Sequence, residues 1–359
     1  VRAFALAVLV AVAWTGVGAA APVETSCTGC HLSQQWFGEA ARALEKSLAS
    51  DVHANAGLSC QDCHGGDADP ALAGDAARAM DPDHAANPFR GLPERGEIPA
   101  FCGRCHSDPA YMKRFAPSAR VDQEREYETS GHGRGLRRGN LRVATCVDCH
   151  GGHGIRRIGD PKAPVHPLHV AETCASCHAS ADTMAGSVRA DGSPIPIDQF
   201  ERWRRSVHAE ALFERGDLSA PTCNDCHGSH GATPPGIDSL AKVCGRCHGR
   251  EATIFEQTAK REGFHQHNAV YLAAAGGDCG SCHVEPDPQA KLPPMRDLPD
   301  CAACHHNHAV VRPSLASLSP LPAVPCAFCH EPPATMQGEL AELEVVQQRY
   351  VEARTQLLQ

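Results

Sequence analysis

All 20 cysteines of the 359-residue chain fall in ten copies of one pentapeptide, Cys-x-x-Cys-His. The copies are Cys27-Cys30-His31, Cys60-Cys63-His64, Cys102-Cys105-His106, Cys146-Cys149-His150, Cys174-Cys177-His178, Cys223-Cys226-His227, Cys244-Cys247-His248, Cys279-Cys282-His283, Cys301-Cys304-His305 and Cys326-Cys329-His330. Residues three apart are separated by about one helical turn. Both thiols therefore lie along one edge, where each can bond a vinyl group of a porphyrin, while the next residue turns its imidazole toward the iron. This is the attachment signature of c-type haem, and it predicts ten covalently held haem c groups. Zinc ribbons and disulfide frameworks also use paired cysteines, but neither needs histidine after the second one. Histidine fills 22 of the 359 positions. Meeting it there ten times in ten by chance has a probability of roughly 10⁻¹², which decides for the haem signature.

Twelve histidines remain to supply sixth ligands: His53, His84, His132, His153, His166, His169, His208, His230, His265, His267, His306 and His308. They are enough to close the second face of all ten irons. Three follow a motif histidine by three residues: His153 after His150, His230 after His227, and His308 after His305. Residues so spaced share one face about 5–6 Å apart, so the second cannot reach the far side of the same porphyrin. It is expected to bind a neighbouring haem, which draws two haems together.

A second pattern lies upstream of the motifs. Ser130-Gly131-His132 precedes Cys146 in a segment beginning with Tyr127, and Ser206-Val207-His208 precedes Cys223 in a segment containing Trp203. His53 before Cys60, and His265 or His267 before Cys279, are placed alike. A loop of this length can wrap a porphyrin, so each is expected to bind the haem that follows it. His84 stands alone, balanced between ligand and surface residue. Met80, Met112, Met184, Met295 and Met336 are fallback ligands, with packing as their default role.

From Cys27 to His330 the chain resembles the multihaem c-type cytochromes, with local spacing most like the class III type. The resemblance implies attachment outside the cytoplasm, low reduction potentials and electron transfer along closely packed bis-histidine haems. His166-x-x-His169 ahead of Cys174 matches a spacing in that family. There the resemblance gives His166 to the haem just ahead, at Cys174 and Cys177, and His169 to another. His305-His306 is similar to the family's adjacent-histidine variant, in which the second residue serves a different haem, so His306 and His308 stand as rivals.

The elements that must hold these sites are sparse. Setting aside the first 21 residues, about 34 residues serve each motif, and below about 40 a unit usually needs a staple or cofactor. Aromatic residues make up 5%, with 32 Gly and 27 Pro, and mean hydropathy is −0.31. The expected fold is mostly α with extensive irregular structure and little or no β, organised by haem ligation. Short helical turns are expected over 38–49 and 198–212. Shared motif details suggest a duplication, because motifs three and seven both read Cys-Gly-Arg-Cys-His and motifs two and six both read Cys-x-Asp-Cys-His-Gly. This predicts a tetrahaem unit over 22–160, its repeat over 161–290 and a dihaem extension over 291–332 with proline-rich connectors. Leu340, Leu343, Val346 and Tyr350 recur at helical spacing, predicting an amphipathic helix over 333–359.

Residues 3–14 form an apolar run behind Arg2, followed by small residues through Ala21. That is the pattern of an export signal over 1–21, placing the protein in the periplasm or outside the cell. Membrane contact would come only through an uncleaved N-terminus. The net charge of −9 argues against a nucleic-acid partner. Partners are expected to be redox proteins: other cytochromes, a quinol dehydrogenase or a terminal reductase. The residues favour an exported electron carrier with no catalytic residue. Two alternatives stand beside it, a multihaem reductase or oxidase of a small nitrogen or sulfur compound, and a membrane-anchored quinol dehydrogenase. No motif replaces its histidine with the lysine that often marks a catalytic haem, which counts against the enzyme.

Overall fold

The computed structural model describes residues 23–189, 192–235, 240–257, 261, 300–312 and 349. The N-terminal signal, motifs eight (Cys279, Cys282, His283) and ten (Cys326, Cys329, His330), His265, His267, most of the proline-rich connectors and the C-terminal amphipathic helix lie outside these residues. Among the described residues the protein is built of short helices and irregular chain, and its β structure is one isolated bridge between Val188 and Pro194. No helix among them is long and apolar enough to cross a membrane.

The motifs themselves make many of the helices. Cys60–His64, Cys146–His150 and Cys223–His227 are single turns of identical construction. Each starts at a Ser or Thr N-cap, and the aspartate within the motif reaches back to that cap. Asp62 accepts from the Ser59 amide at 2.7 Å, Asp148 from Thr145 at 2.6 Å and Asp225 from Thr222 at 2.8 Å. This reciprocal capping box satisfies amide donors that one turn cannot satisfy internally. Each turn stops at a glycine with positive φ, +73° at Gly65, +83° at Gly151 and +85° at Gly228. The first motif, Ser26–His31, does the same job with two threonines, Thr25 and Thr28.

Side chains alone bury little. The apolar cluster comprises Ala171, Trp203, Ala209, Ala211, Leu212 and Ala220. Of the largest fully buried side chains, one is Leu212 and the other two are Ser26 and Ser130. An interior that encloses serines and alanines around short turns cannot draw its stability from side-chain burial alone.

The chain divides into two compact units. The first comprises residues up to 121 with 145–163; the second comprises 122–144 with everything from 164 onward. Residues 122–144 lie in the second unit although the fourth motif, which follows them in the chain, lies in the first. Residues 300–312 also lie in the second unit. They bind the Val207–Phe213 helix there: the Val207 amide donates to Val310 O at 2.9 Å, and Arg312 pairs with Glu210 at 3.0 Å. The expected helical turns occur as Gln34–Leu48, kinked at Gly38, and as Gln199–Arg204 and Val207–Phe213, separated by the Ser206 N-cap.

Candidate metal centres

Five motif histidines each face a second histidine. In the first unit His106 faces His53 with ring centroids 5.9 Å apart, and His64 faces His153 at 6.2 Å. In the second unit His178 faces His132 at 6.0 Å, His248 faces His208 at 6.3 Å, and His227 faces His308 at 6.0 Å. A metal held at about 2 Å by each of two opposed imidazole nitrogens sets the ring centres roughly 6–6.5 Å apart. The pairs therefore have the spacing of trans ligands to one ion. Among the described residues no three His, Cys, Asp or Glu side chains converge on a common point. Each centre offers two donors only, with a pair of thiols beside it. A planar macrocycle that brings four nitrogens of its own and bonds to the thiols fits this donor set.

The thiols are also arranged in order. The Cys27 thiol lies beside Cys60, Cys102 beside Cys146, and Cys174 beside Cys223, each close enough to perturb its neighbour. In each case the first cysteine of one motif meets the first cysteine of the next. The Cys60 contact holds Cys27 down at about 6 and pushes Cys60 itself well above the usual thiol range. Burial, then the nearby Cys105, raises Cys63, and Arg104 ties the two motifs by donating to Cys63 O at 2.7 Å. The second unit repeats this device, with Arg246 donating to Asp225 O at 3.2 Å.

The motif imidazoles are clamped from behind. His64 Nδ1 donates to Gly91 O at 2.8 Å, His227 Nδ1 to Thr233 O at 3.3 Å and His305 Nδ1 to Val311 O at 3.2 Å. The same loops close the other way, since the amides of Arg90, Thr233 and Val311 donate to the carbonyls of His64, His227 and His305. A carbonyl on Nδ1 fixes the tautomer that leaves Nε2 free to bind a metal. Several pairs are also held in the neutral, metal-binding form. Burial first, then the facing ring, lowers His208 and His308, the latter to about 4, and burial followed by the charge of His227 lowers His178. Burial likewise lowers His227, and desolvation followed by His64 lowers His153, against an upward pull from Asp51.

Compared with known proteins, this chain stands apart. No family model, curated protein or solved structure matches it. The reading of its sites rests on the residues themselves.

The structure changes three expectations about which histidines meet. His53, His132 and His208 face the motif after the one that follows them, so they reach His106, His178 and His248 in place of His64, His150 and His227. The physical reason is that the upstream segments fold as short helices tied by a side-chain hydrogen bond to nearby chain, where an extended loop would be needed to wrap a porphyrin. Tyr127 Oη donates to Ala144 O at 2.9 Å, and Trp203 Nε1 donates to Pro221 O at 3.3 Å, just ahead of the N-caps Thr145 and Thr222. His132 lies opposite His178, and His166 is placed elsewhere. It is 5% exposed and faces His169, ring centroids 6.4 Å apart.

The facing histidines also match between the two units. His308 follows motif nine, yet it matches His153, which follows motif four. The Val52 amide donates to Ile155 O at 2.7 Å just as Val207 donates to Val310 O. In these pairings motifs two, three and four match motifs six, seven and nine.

Of the remaining candidates, His84 has both ring nitrogens engaged, Nδ1 by the Asn87 amide at 3.1 Å and Nε2 beside Asp67 at 3.6 Å. His306 is exposed with φ +64°, and its rival His308 is the one that faces a motif ring. His150 and His230 are half-buried. Sequence reasoning missed Asp51, whose signal was an N-cap aspartate two residues before His53, and missed the capping-box aspartates, whose signal was Ser/Thr-Cys-x-Asp repeated three times.

Proposed function

We propose that the protein is an exported multihaem c-type cytochrome that passes electrons along a row of bis-histidine haems between redox partner proteins. The observation that carries this reading is the set of five motif histidines, each opposed by a second histidine at 5.9–6.3 Å. Haem bound at these motifs supplies a reversible one-electron Fe(III)/Fe(II) couple. The chain's residues do the rest. The capping boxes present both thiols and the imidazole from one turn, and the carbonyl clamps on Nδ1 aim Nε2. The opposed histidine closes the second face against substrate. The thiol contacts Cys27–Cys60, Cys102–Cys146 and Cys174–Cys223 bring successive attachment edges together, which supports transfer in motif order within each unit. The test is mass spectrometry and EPR of the purified protein. Ten covalent haems, overwhelmingly low-spin, are expected; stoichiometric zinc, or fewer than nine haems, would refute the reading.

A second reading is favoured at one motif. His31 is exposed, and its ring stacks on Phe37 with centroids 5.2 Å apart. A phenyl ring has no donor atom for iron, so among the described motifs His31 is a candidate site for small-molecule reductase or oxidase chemistry. Turnover of nitrite, hydroxylamine or tetrathionate that rises and falls with a high-spin EPR signal would establish it.

A further inference from the structure

The two best-matched pairs of centres differ in the charge behind their sixth ligands. In the first unit Asp51 caps the Val52–Asn55 helix and is 4% exposed. Its Oδ1 accepts the His53 amide at 2.8 Å and lies 3.2 Å from His53 Nδ1, and its Oδ2 accepts the Ile155 amide at 3.0 Å. The carboxylate thus sits behind His53, which faces His106, and reaches the chain two residues after His153, which faces His64. Its charge acts on the His153 ring as well. In the second unit the matching N-cap is Ser206, a neutral hydroxyl that accepts the Ala209 amide at 3.2 Å. The group beside His308 there is the Arg202 guanidinium, bonded to Asn307 at 3.4 Å, with the exposed Asp198 as a weaker opposing charge.

We propose that Asp51 is a positioning residue that sets the irons at His106 and His64 to a lower reduction potential than their counterparts at His248 and His227. The inference rests on these imidazole pairs being haem ligands. A buried carboxylate hydrogen bonded to a ligand imidazole makes that imidazole a stronger donor, and its negative charge favours Fe(III) over Fe(II). A guanidinium beside the ligand acts in the opposite direction. One electron moving from the first pair to the second oxidises one iron and reduces another, with no bond made or broken. The chain thereby carries an internal bias, so that electrons entering at different points collect preferentially at the His227 and His248 centres.

The test is spectroelectrochemical titration of the holoprotein and of two variants, with haem count and spin state measured on the same samples. Asp51→Asn removes the charge and keeps one oxygen acceptor, for one of the two backbone amides. It is expected to raise the lowest-potential components about tenfold in their reduced-to-oxidised ratio, about 59 mV for one electron, and to change the low-spin g-values of the His53-ligated iron. Ser206→Asp is expected to move a high-potential component downward, and it carries the test alone should Asp51→Asn fail to fold. Ten low-spin haems with unshifted components in either folded variant, or a uniform shift of all components, would overturn the inference alone. Samples without covalent haem would overturn the haem reading with it.

Discussion

The pair of centres built on His64 and His106 and the pair built on His227 and His248 repeat one design from different stretches of chain. Each takes one facing imidazole from a short capped helix upstream and the other from a segment following a later motif. Each closes with the same backbone clasp, Val52 to Ile155 or Val207 to Val310. The later segment follows motif four in one case and motif nine in the other, with the whole of motif eight inserted on the way. What the two pairs share is therefore the three-dimensional match of imidazoles and clasp, and chain distance is free to vary. Loop length is a weak constraint on closure, so an insertion of this size leaves the centre intact.

The sharpest way to break the comparison is to remove the late ligand from each. His153→Ala and His308→Ala should each turn one iron high-spin while the haem on their own motif, at His150 or His305, stays six-coordinate. In a background with Cys60 and Cys63 changed to alanine, His153→Ala should add no high-spin signal. A high-spin signal that survives in that background would place His153 elsewhere.

The glycines that end the motif turns should separate the two regions next. Both Gly65 and Gly228 have positive φ, but a Cβ at Gly65 would lie 1.9 Å from Pro88 O, whereas at Gly228 the nearest atom is 3.5 Å away. Gly228→Ala should cost about 1–2 kcal/mol, the strain of a left-handed residue. Gly65→Ala should cost more, about 3 kcal/mol or above, since the backbone must also shift. Thermal melts of the two holoproteins decide the order, and equal losses would contradict it.

Smaller effects should follow from the aromatic pins. Tyr127→Phe removes one hydrogen bond to Ala144 and should cost about 1 kcal/mol. Trp203→Phe removes the bond to Pro221 and also underfills the cluster around Leu212, so about 2–3 kcal/mol is expected by denaturant titration. Smallest of all is Arg95→Ala. Its 2.7 Å pair with Asp148 is about one-third exposed on both sides, and solvent screening limits the loss to about 0.5 kcal/mol.

These contrasts also mark what could be read from the chain. The motif turns were legible because Cys-x-x-Cys-His is a local device, complete within five residues, and the mostly helical, nearly strand-free fold followed from the meagre apolar composition. The partners of the spare histidines were not legible. His53 precedes Cys60 by a few residues, which makes the haem there the obvious target from sequence alone. Its direction is set instead by Asp51 and by Ile155, far away in the chain. Spacing rules report residues on one turn; they carry no information about a clasp made between distant segments. The correspondence of motif four with motif nine was hidden for the same reason, since motif-by-motif counting assumes that no motif is inserted.

The distance between paired imidazoles along the chain has a consequence for how the protein comes into being. His64 is translated well before His153, and the third and fourth motifs emerge between them. During that interval the leading segment holds half of a ligand pair on single-turn helices, which are too short to persist by themselves. The Val52–Ile155 clasp can close only after the fourth motif has passed. It is the finishing latch of the first unit, and the Val207–Val310 clasp is that of the second. Maturation of each unit is therefore paced by its last segment, and a chain halted between motifs two and four would remain an open, unlatched intermediate.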